Sequence, residues 1–426
     1  MAVSTTATHD LAWWKEPTKD QWLAWVAAWL GWTLDAFDFT IFLLIMVPIA
    51  EGFGVPLVAV TAVFTVTLWL RLVGAVGSGW LADRIGRKKP LMISILWYSF
   101  SNLFAGLAPS FWLLFLFRAA LGIGMGAEWP AGAALAMESW PARSRGFMSG
   151  VLQGSWSLGF LASSVAYGLL YDSIGWRGLL IMGVLPALVV LWIRRYIKEP
   201  EVWLENRRLQ REQQKEVRAP LFDIFRLKVL PNTITACLWM ASGFIVYYSV
   251  YGMFATHLQK DLHLSAAMTA MPIAFANLVA FFASGFWGYV ADTLGRRWAM
   301  IIPAAIGLFI TPFYLFSDSY ALTSGAFILQ GAFLGAIYGQ NPSYLSERFP
   351  TEVRATASGF CYHQGAIWAG FTAPVLAWLA AGQPLGFAVP MLISTSGAAI
   401  VFVIALLIGP ETKGKVLVAE LAAADD

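Results

Sequence analysis

Apolar residues fill this chain in long runs, each near the ~20 residues that cross a bilayer as a helix. Short turns separate them, such as 52–56 and Ala108-Pro109-Ser110. Twelve runs are predicted as membrane-spanning helices, at 22–50, 57–81, 91–108, 111–138, 146–170, 176–196, 232–256, 267–291, 299–316, 321–346, 355–380 and 386–409. A membrane β-barrel would instead show alternating segments of ~10 residues. The longest polar stretch, 194–228, follows run six, and its ENRRLQREQQKEVR segment reads as an amphipathic linker helix. The expected organisation is a six-helix half over 1–196, a cytoplasmic linker over 197–230 and a second six-helix half over 231–426.

Composition supports this class. Of the 426 residues 58% are hydrophobic and 12% charged, against about 25% charged in soluble domains. A soluble multidomain enzyme of this size could not hide that much apolar surface. The net charge of +3 matters less than its placement. With both termini inside, only Arg177 and Lys260 of the 28 Lys and Arg residues fall in outer loops, and Arg71 and Arg118 within spans. All others sit on the cytoplasmic side, as the positive-inside rule requires. The expectation is a multi-pass protein of the cell inner (plasma) membrane with both termini cytoplasmic. Cys237 and Cys361 fall inside apolar runs and read as packing residues. The N-terminus lacks the pattern of a cleaved signal, so the first span is expected to be retained.

An internal repeat organises the chain. Gly79-Trp-Leu-Ala-Asp83-Arg84-Ile-Gly86-Arg87-Lys88 returns as Gly288-Tyr-Val-Ala-Asp292-Thr-Leu-Gly295-Arg296-Arg297. Glu138-Ser-Trp-Pro141 with Arg145 returns as Glu347-Arg-Phe-Pro350 with Arg354. Asp83 to Asp292 and Glu138 to Glu347 share one offset, 209 residues. Two parallel halves of this kind suit alternating access around a site at their interface.

The Gly-x-x-x-Asp-Arg-x-Gly-Arg-Lys-Lys loop after span two, and its copy after span eight, resemble the signature loop of the major facilitator superfamily. The resemblance implies an all-α membrane fold of twelve helices in two tandem six-helix halves. It also implies a cytoplasmic gate in which Asp83, Arg84 and Arg87, and in the second copy Asp292 and Arg296, lock helix ends; carboxylate and guanidinium at a helix end form strong charge-assisted bonds. At finer resolution the first half resembles the sialate:proton symporter family, which includes lactate and pyruvate transporters. The residues carrying this likeness are Trp29-Leu30-Gly31-Trp32-Thr33-Leu34-Asp35-Ala36-Phe37-Asp38-Phe39, Arg71, Arg118 with Gly122, Gly124, Gly126 and Glu128, Glu138-Ser139-Trp140-Pro141, and Gly175-Trp176-Arg177. In spans seven to eleven fewer landmarks match. This likeness implies that an acid in span one pairs with an arginine in span four, mapped to Asp38 and Arg118, and that protonation breaks the pair.

Five charges lie inside predicted spans, all in the first half: Asp35, Asp38, Arg71, Arg118 and Glu128. Each costs about 2.5–3.5 kcal/mol or more at mid-bilayer, so each needs a cavity or a partner. Asp35 and Asp38, three residues apart, share one helix face and cannot both ionise cheaply, so one is expected to carry a proton. Arg71 lies about 18 Å along the helix from Asp83, near mid-membrane, where it can answer an aspartate or bind a substrate carboxylate. Glu128 lies about 15 Å deeper than Arg118, as a proton relay or a partner for Arg71. A static ion-pair network that merely fixes helix packing is the plainer alternative. Arginine's planar fork of donors suits carboxylates, which favours an anionic substrate bound by Arg71 and Arg118. Uncharged candidates for the lining are Gln153 and Ser157 in the first half, and Tyr247, Tyr248, Tyr251, Asn277, Asn341, His363 and Gln364 in the second. Interhelical packing bonds are the alternative for each.

The expected function is secondary active transport: proton-coupled symport of a small organic carboxylate, of the sialic acid or the lactate/pyruvate type. Asp35, Asp38, Arg118 and Glu128 would handle the proton, and no other cofactor is expected. The expected partners are the bilayer and the substrate anion, with no nucleic acid, and the chain is expected to act as a monomer. The alternatives are a sugar or other metabolite porter of the same superfamily and a non-transporting membrane sensor. No metal-ligand cluster, nucleotide loop or nucleophile–base set suggests an enzyme.

Overall fold

The structure is a computed structural model that describes residues 12–213, 220–264, 266–380 and 386–417. Those residues are helical nearly throughout, with no strand among them. The first half comprises Lys19–Phe53, Leu57–Ile85, Lys88–Leu107, Phe111–Ser139, Arg145–Met182 and Ala187–Tyr196. The second comprises Leu230–Tyr247 continued by Met253–Lys260, then Ala266–Leu294, Trp298–Leu315, Tyr320–Gly331 continued by Asn341–Arg348, Arg354–Ala369 continued by Thr372–Ala380, and Ala388–Ile408. Helix stands at every predicted span, and eight stretches among the described residues are long and apolar enough to cross a membrane. Outward-facing side chains such as Trp112, Leu169, Phe309 and Trp378, each 74–75% exposed, give the bundle an apolar girdle suited to lipid.

Local chemistry sets several boundaries. Thr18 and Gln21 form a reciprocal capping box at the start of span one, satisfying two orphan donors. Spans five and six part at Gly175, which leaves the helical conformation within the run Arg145–Met182 with a φ of 62° and a ψ of −178°, a backbone shape that suits glycine. Span seven widens into a π turn at Tyr248–Gly252, a distortion often found at functional sites. Span ten is broken between Gly331 and Asn341 by turns and the short 3-10 turn Ile337–Gln340. Span eleven breaks at Gly370. The linker helix is observed over Glu201–Glu212 with Trp203, Asn206 and Gln210 buried; residues 214–218 of the ENRRLQREQQKEVR segment lie outside the described residues.

Spans two and four interlock closely. A Cβ on Gly126 would lie 1.9 Å from the Arg71 carbonyl, one on Gly122 2.3 Å from that of Thr67, and one on Gly74 1.8 Å from that of Ile123. The small-residue stripes let the two backbones touch, and that contact fixes Arg71 relative to Arg118 and Glu128. Spans two and eleven, and spans five and eight, make the corresponding close contacts between the halves. A Cβ on Gly79 would meet the Thr356 Cα at 2.6 Å, and one on its repeat partner Gly288 the Phe147 Cα at 2.8 Å.

Candidate functional site

A cavity lined by both halves lies between them, where transporters built of parallel repeats hold their substrates. From the first half it is lined by Trp32, Phe39, Arg71, Gln153, Trp156 and Ser157. From the second come Phe244, Tyr247, Tyr248, Asn277, Tyr338, Tyr362 and His363. The walls are mostly aromatic. Arg71 sits over the Phe39 ring at 5.3 Å and the Trp156 ring at 5.6 Å, within cation–π range. Trp32 packs against Trp156 at 5.0 Å, and Phe244 meets Tyr362 edge-on at 5.1 Å.

The buried charges form a ladder through the first half. Asp35 accepts a hydrogen bond from the Arg71 Nη2 at 2.9 Å, with both side chains buried. Asp35 is thus the acid bonded to Arg71, and Glu128 lies near enough to feel the same charge. The Arg71 Nε and the Asp35 Oδ1 have no hydrogen-bond partner among the described residues. Arg118 donates through its Nη1 to the Asn102 Oδ1 at 3.1 Å and lies 4.2 Å above the Phe42 ring. The expected Asp38–Arg118 pair is therefore not a direct bond. The Asn102 Oδ1 accepts the arginine's hydrogen bond, and Asn102 is also the side chain beside Asp38, whose oxygens make no close, well-aligned hydrogen bond among the described residues. Asp38 stays close enough to feel the Arg118 charge. Glu128, 1% exposed, also has both oxygens without a partner. Its carboxylate lies against Gly31, where a Cβ would stand 2.5 Å from the Oε1. A smaller pocket next to it is lined by Trp32, Trp129 and Leu152, so Trp32 stands between the cavity and Glu128.

At the basic end of the bundle the repeat becomes two matched locks. Asp83 accepts from the Arg87 Nη1 at 2.7 Å, from the backbone N–H groups of Ala355 and Thr356 at 3.2 and 2.9 Å, and from the Thr356 hydroxyl at 2.7 Å. It thereby caps span eleven of the other half. Asp292 accepts from Arg296 at 2.6 Å and from the N–H groups of Gly146 and Phe147, each at 2.8 Å, capping span five. Anionic side chains are favoured at helix N-termini. Arg87 also forks onto Glu138 at 3.0 and 2.8 Å, and Arg354 joins that carboxylate at 2.6 Å. Arg296 forks onto Glu347 at 3.1 and 2.9 Å, joined by Arg145 at 3.2 Å. Burial lowers the proton affinity of Arg87 and Arg296, but the carboxylates around them outweigh it, so both pKa values lie above that of free arginine. The glycines of the repeat serve the same corner. Gly86 (φ 105°) and Gly295 (φ 108°) turn the chain, so that Glu199 accepts from the N–H groups of Arg87 and Lys88, and Glu411 from those of Arg296 and Arg297.

The sequence pattern of the Major Facilitator Superfamily matches residues 28–271 and 241–422. The chain belongs to the major facilitator superfamily. It is 28% identical to the sialic acid transporter NanX of Escherichia coli over 407 residues, covering 95% of this chain and 98% of that one. It is also 28% identical to the cis,cis-muconate transport protein of Acinetobacter baylyi, covering 85% and 89%. A solved structure of the proton:xylose symporter XylE superimposes with a TM-score of 0.74 at 19% identity, covering 95% of this chain and 98% of that one, which shows the same fold. As a member of this superfamily the protein is a membrane transporter of a small molecule and not an enzyme.

Of the residues expected around a facilitator substrate, Arg71, Gln153, Ser157, Tyr247, Tyr248, Asn277 and His363 line the cavity. The others stand elsewhere. Arg118 points away onto Asn102 and Phe42. Tyr251 stacks on Tyr247 at 5.2 Å and fills the space that Gly335 leaves in the broken span ten. Gln364 donates to the Cys237 and Cys361 carbonyls, both at 2.9 Å, and so ties spans seven and eleven together. Asn341 is buried where the last helix of span ten begins. Arg84 belongs to neither lock. One residue on from Asp83 it points about 100° around the helix, as 3.6 residues per turn requires, and lies exposed at 5.1 Å from the Trp80 ring. Polarity did not single out the lining residues Trp156, Phe244, Ser284, Tyr338 and Tyr362, among others.

Proposed function

We propose that this transporter couples proton entry to uptake of a small organic carboxylate, with Arg71 as the carboxylate-binding group. The observation that carries the reading is a buried arginine in the wall of an interfacial cavity, bonded through one nitrogen to Asp35 and with its Nε open. A fork of donors held this way suits a carboxylate. The relatives named for sialic acid and for muconate, both acids, support it.

In the proposed cycle the basic end is cytoplasmic, the inner membrane is the site of action, and the segment 197–230 links two halves that rock about the cavity. The locks at Asp83 and Asp292 hold the cytoplasmic side shut while substrate binds from outside. A proton taken up by Asp38 or Asp35 weakens the hold of span one on Arg71 and Arg118. The carboxylate then takes the place of Asp35 on Arg71. Glu128, beyond Trp32, receives the proton on the way to the cytoplasm. A fixed ion-pair network is less favoured, because neither oxygen of Glu128 has a hydrogen-bond partner among the described residues and a buried unpaired carboxylate is costly.

The test is uptake of labelled sialic acid, lactate and muconate into proteoliposomes, with and without an inward proton gradient. Accumulation of at least one acid that rises with the gradient is expected. Equal uptake with and without it would end the symport reading, and preferred uptake of neutral xylose would end the carboxylate reading.

A further inference from the structure

Resting on the carboxylate reading above, we infer that the preferred substrate is a flat acid, aromatic or conjugated, with a single carboxylate. Its carboxylate sits on Arg71 and its ring lies between an aromatic wall of each half. The argument starts from what the cavity leaves open. Tyr338 donates its hydroxyl to the Gly243 carbonyl. Tyr362 accepts from the Gln153 amide at 3.4 Å, Asn277 donates to the Ile273 carbonyl at 3.0 Å, and Ser284 donates to that of Ala280 at 2.7 Å. These polar groups are committed to the protein. The buried nitrogens among the lining residues that lack any partner are the Trp32 Nε1, the Arg71 Nε and the His363 Nε2, on side chains 3%, 5% and 1% exposed.

A polyhydroxylated acid would set most of its hydroxyls against ring faces, which accept no full hydrogen bond, and each unanswered hydroxyl costs free energy. A three-carbon acid would use Arg71 but leave the ring faces uncovered. A flat unsaturated acid matches both features. Phe39, Trp156 and Trp32 surround Arg71 on one side, and Phe244, Tyr248 and Tyr362 stand on the other. Aromatic faces prefer offset or edge contacts with another π system. Arg71 is the one arginine or lysine among the lining residues, which accounts for one carboxylate and not two. His363, whose Nε2 has no partner, adds one polar group to the second half's wall.

The experiment is titration calorimetry on the full chain in lipid nanodiscs, with benzoate, cyclohexanecarboxylate, benzamide, sialic acid and lactate as probes. Benzoate is expected to bind about tenfold more tightly than cyclohexanecarboxylate, a factor that corresponds to ~1.4 kcal/mol, and more tightly than sialic acid or lactate. Benzamide is expected not to bind in the same range. Tyr248→Leu and Trp156→Leu should each erase the preference for benzoate over its saturated analogue. Thermal unfolding identifies a variant that is no longer folded, and the probe comparison on the unsubstituted chain needs no variant. Equal affinity for benzoate and cyclohexanecarboxylate, or tighter binding of sialic acid or lactate, overturns this inference and leaves the carboxylate reading standing. Benzamide binding as well as benzoate, or no binding of any of the four acids, overturns both.

Discussion

Replacing both lock carboxylates, Asp83→Asn with Asp292→Asn, should shift the protein from its closed basic end toward an open one. Each carboxylate accepts two backbone N–H bonds from a helix of the opposite half, and Asp83 accepts the Thr356 hydroxyl as well. Hydrogen bonds to a charged group contribute about 1.5–3 kcal/mol each, and a charge at a helix N-terminus adds to that. Asparagine keeps one acceptor oxygen and the shape but loses the charge, so about 2 kcal/mol per lock is a reasonable loss. Two locks then give about 4 kcal/mol, a roughly thousandfold change in the open-to-closed ratio. The assay is pulsed electron–electron distance measurement between spin labels at Lys89→Cys and Leu294→Cys, both exposed near the two locks, in a chain whose Cys237 and Cys361 are replaced by serine. A distance distribution unchanged in the folded double variant would refute the reasoning.

Arg71→Gln should weaken carboxylate binding at least a hundredfold in calorimetry while the chain still folds; binding within a few-fold of the unsubstituted protein would remove Arg71 from the site. Asp38→Asn and Glu128→Gln should each keep substrate counterflow but lose accumulation driven by a proton gradient, and the rise of uptake with external acidity should flatten. If both variants still accumulate substrate against its gradient, the proton is carried elsewhere. Gly126→Ala should lower the thermal unfolding temperature sharply, because its Cβ would lie 1.9 Å from the Arg71 carbonyl and overpacking of backbone against backbone costs about 1–3 kcal/mol or more. Gly77→Ala, with open space around it, should be neutral or stabilising, and a similar loss in both variants would contradict the described packing of spans two and four.

Much of this architecture is visible in the sequence because a bilayer imposes length and polarity on every span, and because a repeat betrays itself through its offset. The lock residues follow from that offset. Asp83, Arg87, Glu138 and Arg145 recur 209 residues later as Asp292, Arg296, Glu347 and Arg354, and these eight are the residues that bond across and beneath the two halves. The breaks in spans ten and eleven are not visible, since an apolar run looks the same whether its helix is continuous or interrupted at Gly331 and Gly370. Polarity alone also misplaces side chains: Arg118 and Gln364 read as lining, yet both find partners inside the protein. The aromatic lining escaped for the converse reason. Trp156, Phe244 and Tyr338 look like any ring that faces lipid, and only the folded packing distinguishes inside from outside. Gln153 and Tyr362, which bond across the cavity, are themselves related by the 209-residue repeat, a signal the sequence did contain.

The crossed arrangement of the locks has a consequence for leakage. Each acid clasps a helix belonging to the opposite half, and the clasps are related by the molecule's own pseudo-twofold axis. In the proposed cycle a rigid tilt of one half against the other therefore loads both clasps at once, so the basic end opens by releasing both together and offers ions no half-open path.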